Sequence, residues 1–159
     1  VYNNKGTSIT KMGLVTSAIA CNEKAIELNQ NYATPYSNLA NALADQGEQE
    51  RAIEIYEQAL KINPEFVDIY LQMGDAQIAS RKFDDARNTY LLGLSREPTS
   101  EKLQYKLAFT EFSLNKIDLA LGQARTLLER NPKNIEALNL AGLCSEKLRD
   151  FQKAITLGE

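Results

Sequence analysis

Apolar side chains recur three and four positions apart along the chain, which is the spacing of an amphipathic helix. Residues 33–66 carry two such stripes in succession. The stripes are Tyr36, Leu39, Ala40 and Leu43, followed by Ala52, Ile53, Tyr56, Ala59 and Leu60. Gly47 lies between them and suits the left-handed conformation that ends a helix, while Asn63-Pro64 follows the second stripe and stops it. The pattern predicts two helices joined by a short turn.

This unit repeats every 34 residues, so that the whole chain divides into five units in one register. The predicted units are 1–32, 33–66, 67–100, 101–134 and 135–159. Four columns of residues carry the period: an alanine at 18, 52, 86, 120 and 154; a small residue at 6, 40, 74, 108 and 142; a proline at 64, 98 and 132; and a tyrosine at 2, 36 and 70. Each unit is predicted to form two helices, and the small columns lie where two helices cross closely.

These columns resemble the tetratricopeptide repeat family, with an aromatic residue fourth, Leu then a small residue seventh and eighth, Ala twentieth and Pro thirty-second. The resemblance covers the whole chain and is closest in residues 33–66. It implies an all-α fold, a right-handed α-solenoid of stacked antiparallel helix pairs whose first helices line a concave groove. A single helix pair cannot bury its apolar face alone, so stacking of neighbours is also expected on physical grounds.

The outer units depart from the family pattern. In residues 101–134, Gln104 and Ala124 occupy the two aromatic places and Leu127 the small one, which predicts a local rotation of the helices. The first unit lacks its opening residues, and the last stops inside its second helix. We therefore expect a fragment of a longer chain, and uncapped end units could associate with another copy.

The resemblance implies that ligand contacts lie on the face of each first helix that points away from its paired second helix. The candidate groove residues are Asn4, Thr7, Ser37, Asn38, Asn41, Leu71, Gln72, Asp75, Lys102, Tyr105, Lys106, Phe109 and Asn139. In the first two units these side chains are small and polar, and can hydrogen-bond an extended peptide backbone. Keeping the surface hydrated is the alternative role.

Two specific resemblances are partial. Asn4 and Asn38 look like the asparagine ladder of protein glycosyltransferase repeats, but Gln72 interrupts the series. The clamp by which other family members hold a C-terminal carboxylate is matched by Asn41, Lys102 and Lys106. Its remaining places are not matched, since Ser37 and Gln72 replace the expected residues and Asp75 adds a repulsive charge.

Further along the chain the groove positions become apolar. Tyr105 and Phe109 could anchor an apolar side chain of a bound peptide, because aromatic anchors dominate binding energy at interfaces. Alternatively, Tyr105 and Phe112 turn inward to replace the aromatic residues that this unit has lost. The sequence leaves both interpretations open.

Composition argues against catalysis and against nucleic acid. The chain has 18 Lys+Arg, 21 Asp+Glu, no His and two Cys, and its net charge is -3. No basic stripe, phosphate-binding loop or nucleophile motif is present, and Cys21 and Cys144 are predicted to be buried packing residues. No apolar segment reaches the roughly 20 residues that a membrane span needs.

We therefore expect a cytoplasmic, non-catalytic scaffold without a cofactor or metal, which binds a protein or peptide segment in its groove. Nucleic-acid binding and membrane insertion are not expected. The alternative functions are the substrate-selecting repeat region of a larger enzyme, such as a protein glycosyltransferase, and a self-assembly module.

Overall fold

The computed structural model describes the backbone of residues 2–157 and the side chains of residues 13–149. Within that part the fold is all-α, as predicted, with eight helices and no strand. The helices are α1 (Tyr2–Leu28), α2 (Ala33–Asp45), α3 (Gln49–Ile62), α4 (Val67–Ala79), α5 (Phe83–Arg96), α6 (Glu101–Ser113), α7 (Ile117–Arg130) and α8 (Ile135–Leu157). They form two compact units that divide after Arg81, here called the N-terminal and C-terminal units.

The turn that separates the two helices of a repeat is left-handed at one residue. Gly47, Arg81 and Asn115 recur 34 positions apart and have φ angles of 86°, 60° and 61°. After this residue the backbone closes back onto the helix end, as in the bonds from Glu48 N to Leu43 O (2.9 Å) and from Lys116 N to Glu111 O (2.8 Å). These bonds satisfy carbonyl groups that the end of the helix would leave without partners.

The equivalent residues of the outer units, Gly13 and Arg149, do not turn. Both lie inside continuous helices, α1 and α8, so the predicted pair of helices is a single long helix in the first and fifth units. An unbroken helix keeps all its internal hydrogen bonds, whereas a turn gives several up and recovers the loss only when the two helices bury a shared face.

Fully buried alanines mark the places where helices cross. Ala40, Ala52, Ala86, Ala108 and Ala120 each have no exposed surface, as the steric role predicted for the small columns requires. Gly142 belongs to the same column but is exposed, and a Cβ atom there would contact nothing within 4 Å. Because α8 is continuous, no second helix of its own repeat packs against this residue.

Each unit has its own apolar core. In the N-terminal unit, Tyr36, Leu43, Tyr56 and Ile69 pack in one cluster drawn from α2, α3 and α4. In the C-terminal unit, residues of α6, α7 and α8 form a second cluster: Ala108, Ile117, Ala120, Ala124, Leu140 and Cys144.

Only one of the two cysteines follows its prediction. Cys144 is fully buried, whereas Cys21 is exposed. Ile19 and Ile26 pack against the core of the N-terminal unit, and Cys21 lies about 200° around α1 from Ile19 because successive helical residues turn by about 100°.

The residue at the fourth place of a repeat fastens its helix to the preceding linker. The hydroxyl groups of Tyr36 and Tyr70 donate to the carbonyl oxygens of Gln30 (3.2 Å) and Pro64 (2.9 Å). Gln104 replaces tyrosine in the C-terminal unit, and its Nε2 donates to Pro98 O at 2.6 Å. The amide therefore preserves the hydrogen bond, although it does not fill the volume of an aromatic ring.

An ion cluster joins α5, α6 and the start of α7. Glu111 is 2% exposed, its Oε1 accepts from Arg87 Nε at 2.6 Å, and its Oε2 lies 3.5 Å from Lys116 Nζ. A buried carboxylate is tolerated only when such partners compensate its lost hydration.

Replacing Arg87 by Met should lower the free energy of unfolding by roughly 3 kcal/mol, because Glu111 then keeps only the more distant Lys116. The measurement is urea denaturation followed by circular dichroism. Arg125→Met, at an exposed position of α7, is the matched control and should change little. Adding Glu111→Met should recover much of the loss. A cost that persists in the double variant would show that the ion pair is not its cause.

Replacing either of two glycines by alanine should change the free energy of unfolding, but in opposite directions. Gly122 lies inside α7, and an added Cβ meets nothing within 4 Å, so Gly122→Ala should raise the free energy of unfolding by about 0.5–1 kcal/mol. Gly47 has a φ of 86°, so Gly47→Ala should lower it by about 1–2 kcal/mol. Both are measured by the same denaturation experiment, and changes of equal sign would contradict the assignment of Gly47 to a left-handed turn.

Candidate functional site

A polar groove lies on the N-terminal unit, between α2 and α4, with the beginning of α3 at one side. Its volume is about 510 Å³. Six polar side chains line it, and three alanines complete its surface: Asn41, Asp45, Gln49, Tyr56, Gln72 and Asp75, with Ala44, Ala76 and Ala79. We call this surface the polar groove.

Tyr56 forms the innermost part of the polar groove. It belongs to the second helix of the repeat, is 2% exposed, and donates its hydroxyl proton to Asn41 Oδ1 on α2. Burial raises the pKa of Tyr56 well above its usual range, and the nearby carboxylates of Asp45 and Asp75 raise it further. The phenol therefore stays neutral, and its bond leaves Asn41 with an amide group that can still donate.

Gln49 contributes an acceptor that is not satisfied. Its Nε2 donates to Ala44 O at 3.1 Å, which fixes the amide at the end of α2. Its Oε1 is buried and has no hydrogen-bond partner among the described residues. A buried acceptor of this kind requires a donor, and such a donor can come from a bound molecule.

Asp45 is the last residue of α2 and is exposed at the mouth of the groove. A carboxylate at the C-terminal end of a helix faces the negative end of the helix dipole, which is unfavourable. Asp45 therefore does not serve the stability of its own helix, and its negative charge is available to the groove.

Among the predicted contacts of this unit, Asn41, Gln72 and Asp75 do line the polar groove. Ser37 is 5% exposed, and its hydroxyl donates weakly to Gln72 Oε1 at 3.5 Å, so it links α2 to α4. Leu71 is half-buried on α4. Three other residues line the polar groove but were not predicted as contacts: Asp45, Gln49 and Tyr56.

The predicted asparagine ladder spans residues whose side chains are only partly described. Asn38 is exposed on α2 and does not line the polar groove. The predicted contacts Asn4 and Thr7 lie within α1, but their side chains are outside the described residues. The ladder therefore stays a prediction.

In the C-terminal unit the predicted contacts lie on α6 and α8. Lys102 and Asn139 are exposed, Lys106 is half-buried, and Phe109 is 39% exposed. The rings of Tyr105 and Phe109 lie 6.2 Å apart at 35°. Burial raises the pKa of Tyr105, Glu136 raises it further, and Lys106 acts in the opposite direction.

Tyr105 and Phe112 both pack partly against the core cluster of the C-terminal unit, as one of the two interpretations proposed. A cavity of about 180 Å³ lies between α6 and α7 beside Gln104, which occupies an aromatic place of the repeat, and is lined by Gln104, Leu107, Gln123 and Thr126. The oxygen atoms Oε1 of Gln104 and Gln123 are buried and have no hydrogen-bond partner among the described residues. At the fourth place of this repeat, an amide thus stands beside space that the neighbouring side chains do not fill.

The groove residues that were not predicted from the sequence lie at the ends of helices or on the second helix of the repeat. Asp45 lies four residues after Asn41 and therefore on the same helical face, a signal that was available. Gln49 and Tyr56 are on α3, and only the packing of α3 against α2 brings them to the groove.

No group of three metal-ligating side chains lies close together in the part of the chain that the structure describes. None of its described helices combines the length and the apolar character needed to cross a membrane.

Family models for tetratricopeptide repeats match three stretches of the chain. A TPR repeat model matches residues 40–80, and two further tetratricopeptide repeat models match residues 21–54 and 105–159. No curated protein sequence matches the chain.

Solved structures of similar fold include YrrB, described as a TPR protein with an unusual peptide-binding site. It is 27% identical, with 85% of this chain and 70% of that chain covered and a TM-score of 0.70. MamA is 19% identical to this chain and has a TM-score of 0.80, and the match covers 91% of this chain and 84% of the MamA chain. A third similar structure is the first TPR of Spaghetti (RPAP3), bound to the HSP90 peptide SRMEEVD. It is 23% identical to this chain and has a TM-score of 0.69, and the match covers 74% of this chain and 93% of that chain. These matches confirm the predicted fold class, a solenoid of antiparallel helix pairs.

Replacing Tyr56 by Phe should lower the free energy of unfolding at pH 7 by about 1 kcal/mol through loss of the bond to Asn41. It should also flatten the alkaline limb of the stability profile. A raised pKa in the folded state means that above about pH 10 the unfolded chain loses a proton that the folded chain retains, so stability falls as pH rises. Urea denaturation between pH 7 and 11 measures both effects. An identical alkaline decline in the two proteins would contradict the role given to this phenol.

Proposed function

Because the chain belongs to the tetratricopeptide repeat family, we propose that it is a protein-interaction scaffold whose polar groove holds a peptide or protein segment. The observation that carries this proposal is the concentration of polar groups in one groove of about 510 Å³, including the buried and unpartnered Gln49 Oε1. Polar groups placed at fixed positions in a concave surface are typical of ligand sites.

The comparisons support this function at the level of the family. YrrB, at 27% identity, is described as having a peptide-binding site. The matched family models are all repeat families, and no enzyme family is among them. The proposed role is therefore binding without catalysis, and a cytoplasmic location and self-association through end units stay predictions.

The polar groove does not favour an acidic C-terminal tail. Asp45 and Asp75 both line it. Two carboxylates on the groove wall would repel a terminal carboxylate, since like charges at short range disfavour binding. The clamp interpretation is therefore not proposed for this groove.

Filling the groove tests the proposal without disturbing the core. Ala79 is exposed at the end of α4 and lines the groove, so Ala79→Trp should occlude it. Peptides are first selected on the wild-type chain from a random-peptide display library, and their affinities are then measured by fluorescence anisotropy. We expect Ala79→Trp to weaken binding by at least about tenfold, equivalent to about 1.4 kcal/mol.

The matched control is Gln58→Trp, which adds the same side chain at an exposed position of α3 that does not line the groove. It should leave peptide affinity unchanged, and circular dichroism should show equal helicity in both variants. Selected peptides that bind both variants equally well would place the interaction surface elsewhere.

A further inference from the structure

The polar groove presents more acceptors than donors to a bound molecule. Asp45 and Asp75 supply carboxylates, and Gln49 supplies an amide oxygen whose own NH₂ group is already bound to Ala44 O. On the donor side are the amide NH₂ groups of Asn41 and Gln72, whose oxygens accept from Tyr56 and Ser37. Among the residues described, no Lys or Arg lines the groove. The surface therefore complements a group that donates several hydrogen bonds and carries positive charge.

The chain segment around the groove carries a net negative charge, like the carboxylates that line the groove. Residues 33–66, which contain α2 and α3, carry two Lys+Arg and six Asp+Glu. The long-range field therefore favours the approach of cations, an effect that salt screens.

The size and the ligand set exclude a bare metal ion. A volume of about 510 Å³ far exceeds a single ion, and the described residues provide no group of three metal-ligating side chains. A lysine or arginine side chain meets both requirements, because it is long, cationic and donates up to three or five hydrogen bonds.

Asp45 itself indicates selection for a ligand rather than for stability. It ends α2, where its charge opposes the helix dipole, and no hydrogen bond or ion pair engages it in the described structure. Residues that break a local rule of stability in this way concentrate at functional sites.

We propose that the polar groove selects peptides through a lysine or arginine side chain, which donates hydrogen bonds to the Asp45 carboxylate and to Gln49 Oε1. Asp75 on the opposite helix adds to the negative potential. This inference rests on the proposed function, since it names the chemistry of the segment that the groove holds.

The test uses the peptides selected on the wild-type chain. We expect the peptides whose binding Ala79→Trp abolishes to be enriched in Lys and Arg. Replacing the critical lysine by acetyl-lysine, or the critical arginine by citrulline, should weaken binding by about tenfold or more, because the charge-assisted hydrogen bonds are lost.

Asp45→Asn should weaken binding of the same peptides by about tenfold while leaving the melting temperature unchanged or slightly higher. Asp68→Asn is the control because this substitution removes the same charge at an exposed residue outside the groove, in the first turn of α4. It should have little effect on affinity. A merely structural role for Asp45 would instead appear as a lowered melting temperature.

The remaining outcomes separate the two proposals. Peptides that require an open groove but contain acidic or apolar residues, or that ignore Asp45→Asn, would overturn selection of a basic side chain and leave the proposed function intact. If no selected peptide is sensitive to Ala79→Trp, the proposed function fails and the inference falls with it.

Discussion

The close approach of paired helices at fully buried alanines is the constraint on which the rest of this structure depends. In the pairs α2–α3 and α6–α7 the chain reverses within a few residues, and each reversal passes through a left-handed residue, Gly47 or Asn115. Asparagine accepts this conformation at some cost, which the buried face of the α6–α7 pair offsets. Where the turn is absent, in α1 and α8, the equivalent small residue Gly142 is exposed.

The polar groove is a consequence of this packing. Tyr56 is held in the core by α3, yet its hydroxyl emerges beside Asn41 because α2 and α3 lie close together. The start of α3 also brings Gln49 to the end of α2, where its amide satisfies one carbonyl and leaves an oxygen unpartnered. A core residue and a helix end thus supply polar groups to a surface otherwise built by the first helices.

The two units use the same helix positions with different chemistry. The ninth place of a repeat is Asn41 and Asp75 in the N-terminal unit, but Phe109 and Leu143 in the C-terminal unit. The fourth place changes from tyrosine to Gln104, which keeps the hydrogen bond to the linker and lies beside a cavity of about 180 Å³. Backbone geometry is therefore conserved by hydrogen bonding even where aromatic volume is lost.

The sequence by itself determined the repeat length, the all-α class, the left-handed turn at Gly47 and the buried alanine columns, because each depends on periodicity or on the conformational limits of single residue types. Three of its candidate contacts, Asn41, Gln72 and Asp75, line the polar groove, and their role in binding stays a prediction. Only the tertiary structure decided that Ser37 is buried, that Cys21 is exposed, that α1 and α8 run unbroken, and that Asp45, Gln49 and Tyr56 complete the groove. Those outcomes depend on which neighbouring helix covers each position, and the energy of such packing is not contained in the local pattern of residues.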